Sequence, residues 1–193
     1  MSHVPIPPWN VQGVLPPVNA PDSTSMDRSP YRVSLIELIE RFATSDERRN
    51  ILQGFLRYRA ELHALGLTQG FQWVNGSFAE QVETLENRPP NDMDVVTFYV
   101  LPSDVLEEEL VRLNPSLFDH DRMKQKFLVD SYYEPLSGMP PEYLIETSSY
   151  WYSLWSHRRT MAWKGFLQIN LAPDEDEAAN LELMNRMPSG AQP

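Results

Sequence analysis

Asp92 and Asp94 stand two residues apart at the start of Asn91–Leu101 (NDMDVVTFYVL), a run that otherwise reads as a buried strand. A strand alternates sides at every residue, so both carboxylates project from one face. Paired carboxylates repel unless a cation lies between them. Upstream, Phe71–Phe78 (FQWVNGSF) reads as a strand running into Gly76-Ser77. Gly76 lets the backbone approach a ligand closely, and Ser77 offers a hydroxyl and a backbone N–H. A third strand, Lys126–Tyr133 (KFLVDSYY), carries a single charge among apolar residues, Asp130, which is costly there without a partner. Three carboxylates brought to one sheet edge beside such a turn form the ligand set that two Mg²⁺ ions need for in-line displacement at phosphorus.

The surrounding pattern must position these residues. Leu35, Ile36, Leu38, Ile39 and Phe42 form a helical stripe from Ser34 to Phe42. Ser45 is expected to cap a second helix, with Asp46 and Glu47 in its first turn and Gly66 as its stop. Arg48, Arg49, Arg57 and Arg59 on that helix read as a solvated face. Ser103 is expected to cap a helix over Asp104–Leu113, followed by a shorter one over Pro115–Gln125. Pro141 opens a long aromatic helix to about Arg159, and Gly165–Leu171 reads as a last strand. The expected sheet comprises Phe71–Val74, Met93–Leu101, Phe127–Tyr133 and Gly165–Leu171. A strand apolar on both faces, as beyond Asp94, is a central strand of an α/β sheet.

Three segments are expected: a proline-rich arm over 1–30 packed through Trp9 and its apolar neighbours around Pro5–Leu15, a domain over 31–172, and an acidic tail over 173–193 that carries a helix near Glu177–Met187 and ends in a Gly/Pro-rich stub. The 193 residues suffice for one core, and 41% hydrophobic content excludes a disordered chain. Without cysteine there is no disulfide, Cys-ligated zinc or thiol nucleophile. A net charge of −11 argues against nonspecific binding to duplex DNA. No Lys or Arg precedes Arg28 and no apolar run is of signal-peptide or membrane-spanning length, so a cytoplasmic protein without a membrane partner is expected.

The pattern resembles the nucleotidyltransferase superfamily, the polymerase-beta-like fold. That signature is a hydrophobic strand, Gly-Ser, a spacer, Asp-x-Asp and a later-strand carboxylate; here these are Gly76, Ser77, Asp92, Asp94 and Asp130. More narrowly, the chain is similar to small uncharacterised bacterial nucleotidyltransferase-like proteins. Gly13–Pro17, Trp73–Phe78, Pro90–Val95 and Lys164-Gly165 carry that likeness, over roughly residues 11–171. The resemblance implies an α/β (α+β) domain with a mixed central sheet flanked by helices. It implies an NTP substrate and Mg²⁺ or Mn²⁺ held by Asp92, Asp94 and Asp130, the catalytic carboxylates, with Gly76 and Ser77 binding nucleotide. A nucleoside monophosphate would move to a hydroxyl on an RNA end, a protein or a small molecule. Toxins, antitoxins and defence enzymes share the fold, which implies a role in bacterial conflict by analogy.

Such proteins often carry a basic residue soon after Gly-Ser, where this chain has Ala79, Glu80 and Gln81. The phosphate cations are therefore expected from elsewhere. Lys124, Lys126, His157, Arg158, Arg159 and Lys164 are the candidates, with Arg158, Arg159 and Lys164 assigned to nucleotide binding. The alternative function is a nucleotide-binding or regulatory module of the same fold with weak or no transfer.

Overall fold

The computed structural model describes residues 6–187. Pro5, at the start of the expected arm, and the Gly/Pro-rich stub from residue 188 onward lie outside them. The described arm follows the body of the domain. Trp9 Nε1 donates to Ala79 O at 2.8 Å, its ring meets Phe42 edge-on at 5.9 Å, and Val14 and Leu15 are fully buried.

The sheet is mixed and five-stranded. Strands β1 (Tyr31–Val33), β2 (Gly70–Asn75), β3 (Met93–Tyr99), β4 (Val129–Pro135) and β5 (Leu167–Asn170) stand in the order β1-β5-β2-β3-β4. β2 runs antiparallel to β3 and β5, whereas β1–β5 and β3–β4 are parallel. The fold is α/β, as the alternation of apolar strands with helical patterns implied. β1 was not foreseen, because three residues after a proline carry too little pattern to register.

Each sheet face has its own core. Val74, Val95, Tyr99, Val129 and Ile169 point into the larger one, together with helices α1 (Leu35–Phe42) and α2 (Asp46–Ala64). Ser34 caps α1 reciprocally: Glu37 N donates to Ser34 Oγ (3.2 Å) and Ser34 N donates to Glu37 Oε2 (2.8 Å). Ser45 caps α2, and Gly66 ends the turn after it at φ +80°. A short helix α3 (Val82–Glu86) lies in the spacer before β3. On the opposite face Trp73, Phe98 and Phe166 form a mainly aromatic cluster with Val96, Trp151 and Trp155.

Several boundaries depart from the sequence expectation. Helix α4 is Glu107–Leu113, not Asp104–Leu113 capped by Ser103; Val105 N donates to Pro102 O, closing a turn that delays the helix. Helix α5 is His120–Phe127, capped by Asp119 rather than opened at Pro115. Lys126 and Phe127, assigned to a strand from sequence, complete α5. Leu128 then takes a left-handed conformation (φ 56°) and β4 begins at Val129. A Cβ on Gly54 of α2 would sit 1.9 Å from Phe127 O. Only glycine permits that approach, and it fixes the end of α5 where β4 must start. Helix α6, Pro141–Trp155, stops short of Arg159. Residues 156–164 instead double back, with Lys164 N donating to Ser156 O and Arg158 N to Ala162 O, both at 2.8 Å. Helix α7 (Asp176–Asn185) buries Ala179 and Leu183 against α1 and α2.

Arg48 and Arg59 correct the solvated-face reading, for both are fully buried. Arg48 donates to Phe78 O, to Glu80 O and to the Glu83 carboxylate. Arg59 donates to Gln72 Oε1, Asn170 O, Ala172 O and both oxygens of Asp176. Half of these acceptors are backbone carbonyls, and all lie far from the arginines in sequence, so periodicity on α2 could not reveal them. Arg57 is exposed and Arg49 partly so. Among the described residues no helix is long and apolar enough to cross a membrane.

Candidate functional site

Register places the site. Asn75, the last residue of β2, is paired with Asp94 of β3, and Asp94 is paired with Asp130 of β4. Residues directly opposite one another point to the same face. Asn75, Asp94 and Asp130 thus form a row across three strands, with Asp92 one step before β3. Gly76 follows Asn75 at φ +82°, where a Cβ would lie 2.9 Å from Asp94 Cγ. Any side chain there would collide with the carboxylate, so glycine is demanded twice, by conformation and by space. Half-buried Ser77 opens a one-turn 3₁₀ helix, Ser77–Ala79, beside the row.

Asp94 is the carboxyl most affected by this crowding. Burial first, then the charges of Asp92 and Asp130, push it up to about 6, against the opposing pull of Lys164 and Lys124. Burial and the same carboxylates, Asp130 before Asp94, also push the Tyr132 phenol up to about 12. Lys124, on α5, inserts its ammonium between the outer carboxylates. Its Nζ is 2.6 Å from Asp92 Oδ2 and 3.5 Å from Asp130 Oδ2, and the Asp92 contact raises its own pKa. His120, one turn earlier on α5, brings Nδ1 within 2.9 Å of Asp130 Oδ1. The two are close enough to pair as ions but not aligned as a hydrogen bond, and Asp130 Oδ1 is buried without a donor. Asn75 Oδ1 is likewise buried and unpartnered, while its Nδ2 donates to Trp155 O at 3.1 Å.

The expected phosphate cations are held by acids. Lys164, nearly buried, places Nζ 2.7 Å from Glu80 Oε1, and Arg158 Nη2 lies 2.8 Å from Glu80 Oε2 and 3.0 Å from Glu86 Oε1. Lys164 is near enough to Asp94 to act on its ionisation. Arg159 is exposed. The structure therefore groups Gly76, Ser77, Asp92, Asp94 and Asp130, sets Lys164 and Arg158 at their border through Glu80, and leaves Arg159 facing solvent.

Among the described residues no three His, Cys, Asp or Glu side chains are clustered so as to hold a metal ion. The ammonium of Lys124 supplies the positive charge between Asp92 and Asp130. The donor types alone suit a divalent cation: three carboxylates and an amide oxygen are hard oxygen ligands, and two of the atoms are buried without a hydrogen-bond donor. Asn75 and His120 were not foreseen; Glu80 was noted only as an acid after Gly-Ser, and Lys124 as a candidate phosphate cation rather than a partner of the carboxylates. The i,i+4 spacing of His120 and Lys124 just ahead of Asp130 was the available signal.

No curated protein and no solved structure matches the chain. A family model described as a family of unknown function, DUF6932, matches residues 7–170, from the arm to the end of β5. The chain therefore belongs to the family of unknown function DUF6932.

Proposed function

We propose that the protein is a metal-dependent nucleotidyltransferase that moves a nucleoside monophosphate from an NTP to a hydroxyl on an RNA end, a protein or a small molecule. The observation that carries this is the carboxylate row: Asp94 opposite Asp130 on parallel strands, Asp92 beside it, and positive-φ Gly76 against the Asp94 carboxylate. A bound Mg²⁺ or Mn²⁺ would neutralise the phosphate charge and polarise the phosphorus centre. Asp92 and Asp94 would hold it once Lys124 has withdrawn. The backbone N–H groups and hydroxyl at the Gly76-Ser77 turn would take the phosphate chain. Lys164 and Arg158 serve its oxygens after leaving Glu80. Asp130 takes the proton of the attacking hydroxyl, with His120 beside it. The hydroxyl oxygen bonds to the α-phosphorus as the bridging P–O bond breaks, and that electron pair leaves with pyrophosphate.

A second reading, a nucleotide-binding or regulatory module with little transfer, is favoured by Glu80, which occupies two of the three expected phosphate cations. Incubating the chain with each α-labelled NTP, Mg²⁺ and total RNA or lysate separates them. Label should become covalently attached with wild type and not with Asp94→Asn or Asp130→Asn. Nucleotide binding without attachment would decide for the second reading.

A further inference from the structure

Asn75 stands at a position that neither motif spacing nor resemblance marks, yet its environment is more constrained than that of any carboxylate in the row. It is 2% exposed. Its Nδ2 is committed to Trp155 O at the end of α6, which fixes the side-chain orientation and leaves Oδ1 as the free end. That oxygen is buried with no donor. Buried acceptors are normally satisfied, and an orphan invites an explanation such as an ion or a ligand donor. Its cross-strand partner is Asp94, whose carboxylate points from the same face.

We propose that Asn75 is a ligand of the cation, its Oδ1 joining the Asp94 carboxylate, with the Trp155 carbonyl as the group that aims it. This rests on the metal-dependent reading above. An amide oxygen suits the place. It is a hard ligand that Mg²⁺ and Mn²⁺ accept, and it adds no charge to a row that already repels itself. A fourth carboxylate at Asn75 would add repulsion in the metal-free protein. The Asn75 amide also gives α6 a part in the site, since the helix stops at Trp155 with its carbonyl on Nδ2.

The test is Mn²⁺ binding to the full chain, read as loss of the free-ion spin-resonance signal, for wild type, Asn75→Leu, Asn75→Asp and Asp94→Asn. Leu and Asp both remove the donor to Trp155, but only Asp keeps an oxygen. Melting curves in EDTA verify that each variant is folded. Asn75→Leu should weaken Mn²⁺ by about tenfold or more, and Asn75→Asp should bind as tightly as wild type or tighter. If Leu and Asp shift affinity alike, or Leu leaves it unchanged while Asp94→Asn abolishes it, Asn75 is structural and the metal reading survives. Wild type that takes up no Mn²⁺ overturns both.

Discussion

Arg59 and Asp94 both bring charge out of water, and their surroundings are opposites. Around Arg59 every direction ends in an acceptor: Gln72, the carbonyls of Asn170 and Ala172 at the end of β5 and just beyond it, and both oxygens of Asp176 on α7. Around Asp94 the neighbours are of like charge, two acceptor oxygens lack donors, and an exposed lysine supplies the bridging cation. Evolved structural charge clusters satisfy their groups, because an unpaired buried ion costs several kcal/mol. Repulsive, under-donated clusters with displaced pKa values are found preferentially at functional sites. The first ties α2 to α7 and the β5 exit; the second is the proposed site.

Breaking the closed cluster should have the largest effect. Arg59→Ala strands Asp176 and three acceptors, and should lower stability by about 3–5 kcal/mol in urea unfolding. A change under about 1 kcal/mol would mean the buried network is not what secures α7.

Asp94→Asn should act in the reverse direction. The folded carboxyl titrates near 6, above its ordinary 3.8, so the folded state binds this proton more tightly than the unfolded chain. Stability contributed at this group therefore falls as pH rises from about 4 to 6, and the penalty is complete above that. In EDTA, Asn should stabilise by roughly 2–3 kcal/mol at pH 8 and by almost nothing at pH 4. Unfolding at the two pH values measures this; a stability loss at pH 8 would contradict the repulsive picture.

These two groups also show what was legible in the sequence. Strands β2, β3 and β5 and helices α1 and α2 followed from apolar periodicity and, for α2, from Ser45. Asp92, Asp94 and Asp130 stood out because charges are rare in such strands. What escaped was carried by backbone. Half of the hydrogen bonds of Arg48 and Arg59 go to backbone carbonyls, which no side-chain pattern records. The α5–β4 junction depends on Leu128 at φ 56° and on Gly54 against Phe127 O. The role of Asn75 depends on a single helix-end carbonyl. Glu80, noted only as an acid where a base was expected, proved to bind the very cations sought elsewhere.

Glu80→Gln sharpens the comparison at the border between the two kinds of cluster. It should cost about 2 kcal/mol by weakening the partner of buried Lys164, yet raise triphosphate affinity severalfold by freeing Lys164 and Arg158. Affinity that falls in step with stability would make Lys164 a structural residue like Arg59. Smallest of all, Arg159→Ala should change stability by less than about 0.5 kcal/mol, as expected for an exposed side chain, and triphosphate binding by less than about threefold.

The claim that the open cluster is a cation–phosphate site is tested most directly by the melting temperature of the full chain in Mg²⁺ alone, NTP alone and both together, for wild type and Asp94→Asn. Wild type should show a clear rise when both are present, larger than with either alone, and Asp94→Asn should lose it. An equal rise in Asp94→Asn, or none in wild type at millimolar Mg²⁺ and NTP, would contradict it.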